Sequence, residues 1–203
     1  MDYRFCCCAD GFESRRMQYR ARGRQGHRSG RQGYSEEIVA VIVNNPIPTQ
    51  TLPLKGRAYY LEDLAVGDSF VSRKYPLDAN EIKNFARDFD PQPFHLDEAV
   101  AVSSFFGGLA ASGWHTAAIT MRLMVESVPM ADGLIGAGVE ISWPRPTRPG
   151  DVLHVESAII NIAPSKSKND RGIVSLESIT FNQHGEQVQK LVSKLLVFRR
   201  SSQ

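Results

Sequence analysis

The sequence predicts an α+β domain in which an antiparallel sheet wraps one long helix. Three observations carry that prediction. Apolar side chains recur at the 3.6-residue helical spacing between residues 78 and 128. After Pro129 the period drops to 2 over four successive segments. The links between those segments are too short for the crossovers that parallel strands require, so neighbouring strands run antiparallel.

The texture of a folded domain begins at about Arg57, with Tyr59, Tyr60, Leu61 and Leu64 leading to a Val66-Gly67-Asp68 turn and an extended run from Ser69 to Tyr75. Asp78 caps the first helix, with Glu81 at the third helical position. Ile82, Phe85, Ala86 and Phe89 then repeat at helical spacing until Pro91 ends the run. Asp97 opens a short second helix through Val102. Ser112 caps the long helix, in which Trp114, Ala117, Ala118, Met121, Val125 and Val128 mark the face expected to be buried, and Pro129 bars its continuation. The strands are expected near 136–143, 152–162, 172–182 and 188–199, joined by turns that include Pro149-Gly150-Asp151 and His184-Gly185. A sheet with one apolar face has to be covered, and the helix from Ser112 is the obvious cover. This is the hotdog arrangement.

The remaining chain bounds what the domain can do. Residues 1–31 hold eight arginines against three acids, whereas residues 32–203 carry a net charge of −3, which argues against a nucleic-acid partner for the folded part. Residues 1–56 read as a disordered arginine-rich tail and linker, and residues 57–200 as the folded domain. The tail is compatible with an upstream start outside the natural product, an organelle-targeting peptide or an RNA-touching arm. Cys6, Cys7 and Cys8 are adjacent, without the spacing of a zinc ligand pair, so no metal is expected there. The body has no cysteine, as suits a cytoplasmic protein. The longest apolar run, Ile38 to Val43, is far short of a membrane span, and no membrane partner is expected.

Chemistry concentrates in Asp90-Pro91-Gln92-Pro93-Phe94-His95, where a carboxylate and an imidazole lie five residues apart on a chain stiffened by two prolines. Such a pair can grip one water, activate it at one carbon and return a proton to the neighbouring carbon. Backbone N–H groups at the start of the long helix, at Gly113, suit a developing oxyanion.

These residues resemble the MaoC-like dehydratases and (R)-specific enoyl-CoA hydratases, whose signature is Asp-x-Asn-Pro-x-His followed by Asp two residues on. Here it reads Asp90-Pro91-Gln92-Pro93-Phe94-His95-Leu96-Asp97. The likeness continues through Ser104-Phe105-Phe106-Gly107-Gly108, Ser112-Gly113-Trp114-His115 and Arg148-Pro149-Gly150-Asp151. Gln92 stands where the family usually has Asn, and Ser112 where a His often precedes the glycine. The resemblance implies a hotdog fold, a homodimer, and reversible hydration of a trans-2-enoyl thioester of coenzyme A or acyl carrier protein, with no metal or redox cofactor. It implies Asp90 and His95 as the catalytic pair and Gly113 as the oxyanion donor.

Gln92, Ser112, Trp114 and His115 are candidate substrate-binding residues. The competing reading makes His115 a packed core histidine and places Trp114, with Trp143, in the core. Asp97 reads as a helix cap. Arg145 and Arg148 are either solvated loop charges or contacts for the phosphates of coenzyme A. Two other functions remain in view: a hotdog thioesterase, which commonly uses a carboxylate on or beside the central helix, where the first acid is Glu126, and a non-catalytic subunit that binds acyl thioesters.

Overall fold

The computed structural model describes residues 58–201; the expected arginine-rich tail and linker lie outside the described residues. After a 3-10 turn at Leu61–Asp63 come β1 (Ser69–Val71) and β2 (Tyr75–Pro76), then α1 (Ala79–Phe89), α2 (Pro93–Leu96), α3 (Glu98–Val102) and α4 (Gly113–Ser127). The chain ends in β3 (Ile135–Ser142), β4 (Val152–Pro164), β5 (Arg171–Phe181) and β6 (Gln187–Phe198). The extended run expected from Ser69 to Tyr75 is two short strands, both paired with β4.

All strand pairs are antiparallel, in the order β1-β4-β5-β6-β3, with β2 added alongside β4. The alternation read from the sequence is visible in the burial of β4, where Leu153, Val155, Ser157 and Ile159 point inward and their neighbours outward. Val174 and Leu176 of β5 and Leu191, Leu195 and Val197 of β6 continue this inner face, which packs with Ile119, Leu123 and Met124 of α4 into one core. This is a hotdog fold. Gly150 and Gly185, both with positive φ, make the tight turns before β4 and β6.

The caps fall where the sequence puts them. Asp78 Oδ1 accepts from Asn80 and Glu81 N–H at 2.7 and 2.9 Å, and Asp97 Oδ1 accepts from Ala99 and Val100 N–H at 2.8 and 3.0 Å. Glu81 does not complete a capping box on α1; its carboxylate takes the hydroxyl of Tyr75 instead.

The buried face of α4 differs from expectation. His115, Thr116, Ile119, Thr120, Leu123, Met124 and Ser127 are buried, whereas Trp114, Ala118, Met121 and Val125 face outward and only Val128 of the expected set is fully enclosed. The helix carries apolar side chains on both faces, so its period fits two orientations. Partners on the sheet and in the link between β3 and β4 decide between them: Thr120 Oγ1 hydrogen-bonds Thr180 Oγ1 of β5 at 2.7 Å, and Thr116 Oγ1 donates to Thr147 Oγ1 of the link at 3.0 Å. Trp114 and Trp143, expected in the core, are 63% and 39% exposed, and Phe89, the last of the apolar residues that repeat at helical spacing in α1, is 73% exposed.

Candidate active site

Asp90 is the C-terminal cap of α1, where Pro91 forbids another helical turn. Pro93 then occupies the first position of α2, where a missing N–H costs nothing. That single turn carries His95 inward, to 4% exposure. The two side chains meet with His95 Nε2 3.5 Å from Asp90 Oδ2.

Each partner is oriented by a second contact. His95 Nδ1 lies 2.7 Å from the carbonyl oxygen of Ala110. A carbonyl only accepts, so the hydrogen of the neutral ring sits on Nδ1 and the lone pair of Nε2 faces Asp90. Asp90 Oδ2 accepts from Ser112 Oγ at 2.6 Å, and Oδ1 accepts from Gln92 Nε2 at 2.7 Å. Ser112 also caps α4, its Oγ accepting from Trp114 N–H at 3.2 Å. The cap was legible in the sequence, but its bond to Asp90, 22 residues away, was not.

Burial pushes the Asp90 carboxyl up, but the hydrogen bonds from Ser112 and Gln92, with the positive charge His95 carries whenever its ring is protonated, outweigh it and hold Asp90 below its ordinary value. A carboxyl depressed in the folded state contributes stability above its unfolded pKa and loses it as pH falls through the folded pKa. Ser112→Ala removes one of the depressing bonds, so the titration of Asp90 should move upward. Carbon NMR of the labelled carboxyl checks this; an unmoved titration would show that Ser112 does not tune Asp90.

Asp90, Gln92, His95, Ser112, Gly113 and Trp114 all line one cleft of about 470 Å³. Sequence reasoning missed most of its other walls, which come from Phe94, Phe105, Phe106, Thr116 and the segment Trp143 to Thr147. Gly113 N–H belongs to the first turn of α4, whose amides the helix cannot satisfy. The close approach that requires glycine here is internal: a Cβ at this position would lie 2.9 Å from Cε2 of Trp143. Trp143 is in turn tied by its indole N–H to Gln189 Oε1 at 2.8 Å.

His115 does not line this cleft. It lies on the inner face of α4, stacked on Phe85 with ring centroids 4.5 Å apart, and burial pushes its pKa down against the opposing pull of Glu81. It is a packed core histidine. Arg148 is neither a solvated loop charge nor free for a phosphate, because its guanidinium is bonded to the carbonyls of Phe106, Gly108 and Leu109. Glu126, the carboxylate a helix-based thioesterase would need, is ion-paired with Arg73 at 2.6 Å and Arg122 at 3.2 Å and is not among the cleft-lining residues. Among the described residues no helix is long and apolar enough to cross a membrane.

Comparison with known proteins agrees with this fold. The structure resembles that of a MaoC-like dehydratase from Rhodospirillum rubrum, with 62% identity, a TM-score of 0.70, and coverage of 71% of this chain and all of that one. It also resembles the R-hydratase PhaJ1 from Pseudomonas aeruginosa, at 26% identity and a TM-score of 0.57, over 70% of this chain and 86% of the other. A 3-hydroxybutyryl-CoA dehydratase from Methylorubrum extorquens is 26% identical over 113 residues, 55% of this chain and 71% of that protein. The profile of the MaoC like domain matches residues 63–181, which span β1, the Asp90–His95 pair, α4 and the sheet through β5. The chain belongs to the MaoC-like domain family of hydratases and dehydratases.

Proposed function

We propose that this protein catalyses the reversible hydration of a trans-2-enoyl thioester, carried on coenzyme A or acyl carrier protein, through Asp90 and His95. The observation that carries the reading is the convergence of two oriented acceptors, Asp90 Oδ2 and the His95 Nε2 lone pair, 3.5 Å apart at one cleft. A water placed between them donates one hydrogen to each. Its oxygen adds to C3 while one proton passes to the pair. The pair returns one proton to C2, so both side chains end as they began. Negative charge developing on the thioester oxygen is met by Gly113 N–H at the positive end of α4. Gln92, Ser112 and Trp114 border the substrate.

The test is the absorbance of the conjugated enoyl thioester when crotonyl-CoA is mixed with purified protein, with free thiol assayed alongside and His95→Ala run in parallel. Loss of absorbance without thiol release, abolished in the variant, supports hydration. Thiol release identifies a thioesterase. Absence of reaction with short, long and branched enoyl-CoAs and with enoyl carrier protein sinks the reading and leaves a binding subunit.

The working form in this reading is a homodimer. β3 is a sheet edge of eight residues whose backbone is unpaired on one side among the described residues, with Ile135 and Val139 40% and 61% exposed. Trp114, Met121 and Val125 form an outward stripe on α4, and Trp114 meets Trp143, just past β3, with ring centroids 5.5 Å apart. Light scattering should give twice the 22.6 kDa chain mass. Val139→Lys, at a position exposed within the single chain, should halve the measured mass without unfolding the protein; an unchanged mass would place the interface elsewhere.

A further inference from the structure

The segment after β3 reaches across the domain to the chain just ahead of α4, and Arg148 makes the link. Its Nη1 donates to Gly108 O at 2.7 Å and Leu109 O at 3.1 Å, and its Nη2 donates to Phe106 O. The same strap is fastened again where Ala111 N–H donates to Thr147 O at 2.9 Å, and Arg148 N–H donates to Asp151 Oδ2 at 2.7 Å. Gly107 and Gly108 both have positive φ, a conformation that costs most other residues energy, and the turn they make presents these carbonyls to one guanidinium.

The clamped segment forms part of the active site. Phe105 and Phe106 are walls of the cleft, and the residue after Leu109 is Ala110, whose carbonyl fixes His95 Nδ1 at 2.7 Å. Arg148 itself is not among the residues lining the cleft and is half-buried. A planar fork with five donors can hold three carbonyls at once; an ammonium on a flexible stem cannot fix the same three.

We infer that Arg148 is a positioning residue for His95: its guanidinium fixes the 106–110 segment, and through the Ala110 carbonyl it sets the ring orientation and tautomer of His95. This rests on the hydratase reading for its kinetic consequence, but the structural claim can be measured without turnover. A three-carbonyl anchor whose last member, Leu109 O, immediately precedes Ala110 leaves that carbonyl little freedom. Without it the segment is held on this side by the Ala111–Thr147 bond alone among the contacts described, and the ring of His95 can rotate or exchange its proton.

The experiment compares wild type with Arg148→Ala and Arg148→Lys in the full chain, with melting temperature as the folding control. The first readout is nitrogen NMR of the His95 ring. Wild type should show the Nδ1-protonated form, and both variants a mixture of tautomers or a broadened signal. The second readout is crotonyl-CoA hydration, where kcat should fall by up to about a hundredfold, the cost of a displaced catalytic group, with KM changed far less. Methylguanidinium in the buffer should restore part of the lost kcat in Arg148→Ala and none in Arg148→Lys, whose side chain fills the space. If Arg148→Ala does not fold, Arg148→Lys with the ring spectrum decides the matter. An unchanged His95 spectrum in a folded variant overturns the inference, as does unchanged kcat. Wild-type inactivity on every enoyl thioester overturns the hydratase reading instead, and the ring spectrum still judges the role of Arg148.

Discussion

Asp90→Asn should reduce hydration of crotonyl-CoA by about 10²- to 10⁴-fold in kcat, the usual worth of a positioned acid–base group, while substrate affinity stays within a few fold. The substitution keeps the volume and removes the charge. Ser112 Oγ can still donate to the amide oxygen, so the cap on α4 survives. Gln92 Nε2 then faces either that same oxygen or an NH₂ group, and because Gln92 is exposed, water can satisfy what is left over. The loss is therefore chemical: His95 Nε2 keeps its lone pair, but the second acceptor for the attacking water has become a donor or a weaker acceptor. Stopped-flow or steady-state absorbance gives kcat, and a binding titration with a saturated acyl-CoA gives affinity. Turnover retained to within a few fold would remove Asp90 from the chemistry and with it the proposed mechanism.

Gly113→Ala should destabilise the domain by about 1–3 kcal/mol, the range for a forced overpacking, and lower kcat as well. Two effects oppose each other. Alanine favours helix by up to about 1 kcal/mol over glycine in a helix interior, and by less at the first position, where few intrahelical bonds depend on it. Against this, the new Cβ would sit 2.9 Å from Cε2 and 3.0 Å from Cδ2 of Trp143, the fused ring atoms rather than a flexible tip. The indole cannot slide away without breaking its bond to Gln189, which is fully buried and would lose the partner of its carbonyl oxygen. Steric cost wins, and relief moves either the indole or the first turn of α4 with the Gly113 N–H. A double-mutant cycle with Trp143→Ala separates the two: the stability loss should vanish in the Trp143→Ala background, because the clash has no second partner. Persistence of the full loss there would mean that Gly113 is required for its backbone and not for the ring above it.

The strands and helix boundaries were legible in the sequence because they depend on local chemistry. Asp78, Asp97 and Ser112 satisfy amides two or three residues away, Pro91 and Pro129 remove donors where the helices stop, and the period-2 alternation of β4 to β6 is a property of consecutive side chains. The pairing of Asp90 with His95 was legible for the same reason, since the two residues are joined by four residues whose prolines restrict the path. Local chemistry also has a limit, reached at α4. Trp114, Met121 and Val125 make as good an apolar stripe as Ile119, Leu123 and Met124, and no neighbour in sequence distinguishes them. Only the sheet does, by offering Thr180 to Thr120 and an apolar floor to Leu123. The partners of Asp90 and His95 divide in the same way. Gln92 lies two residues from Asp90, but Ser112 comes from 22 residues away and the Ala110 carbonyl from 15 residues beyond His95. The sequence by itself determined the three capped helices, the four long strands and which residue pair carries the proposed chemistry, but not the single turn of α2. Tertiary structure decided which helix face is buried, which contacts fix the charge of Asp90 and the tautomer of His95, and that Arg148 holds the chain between them, because these are contacts between segments whose separation along the chain leaves no periodic or local mark.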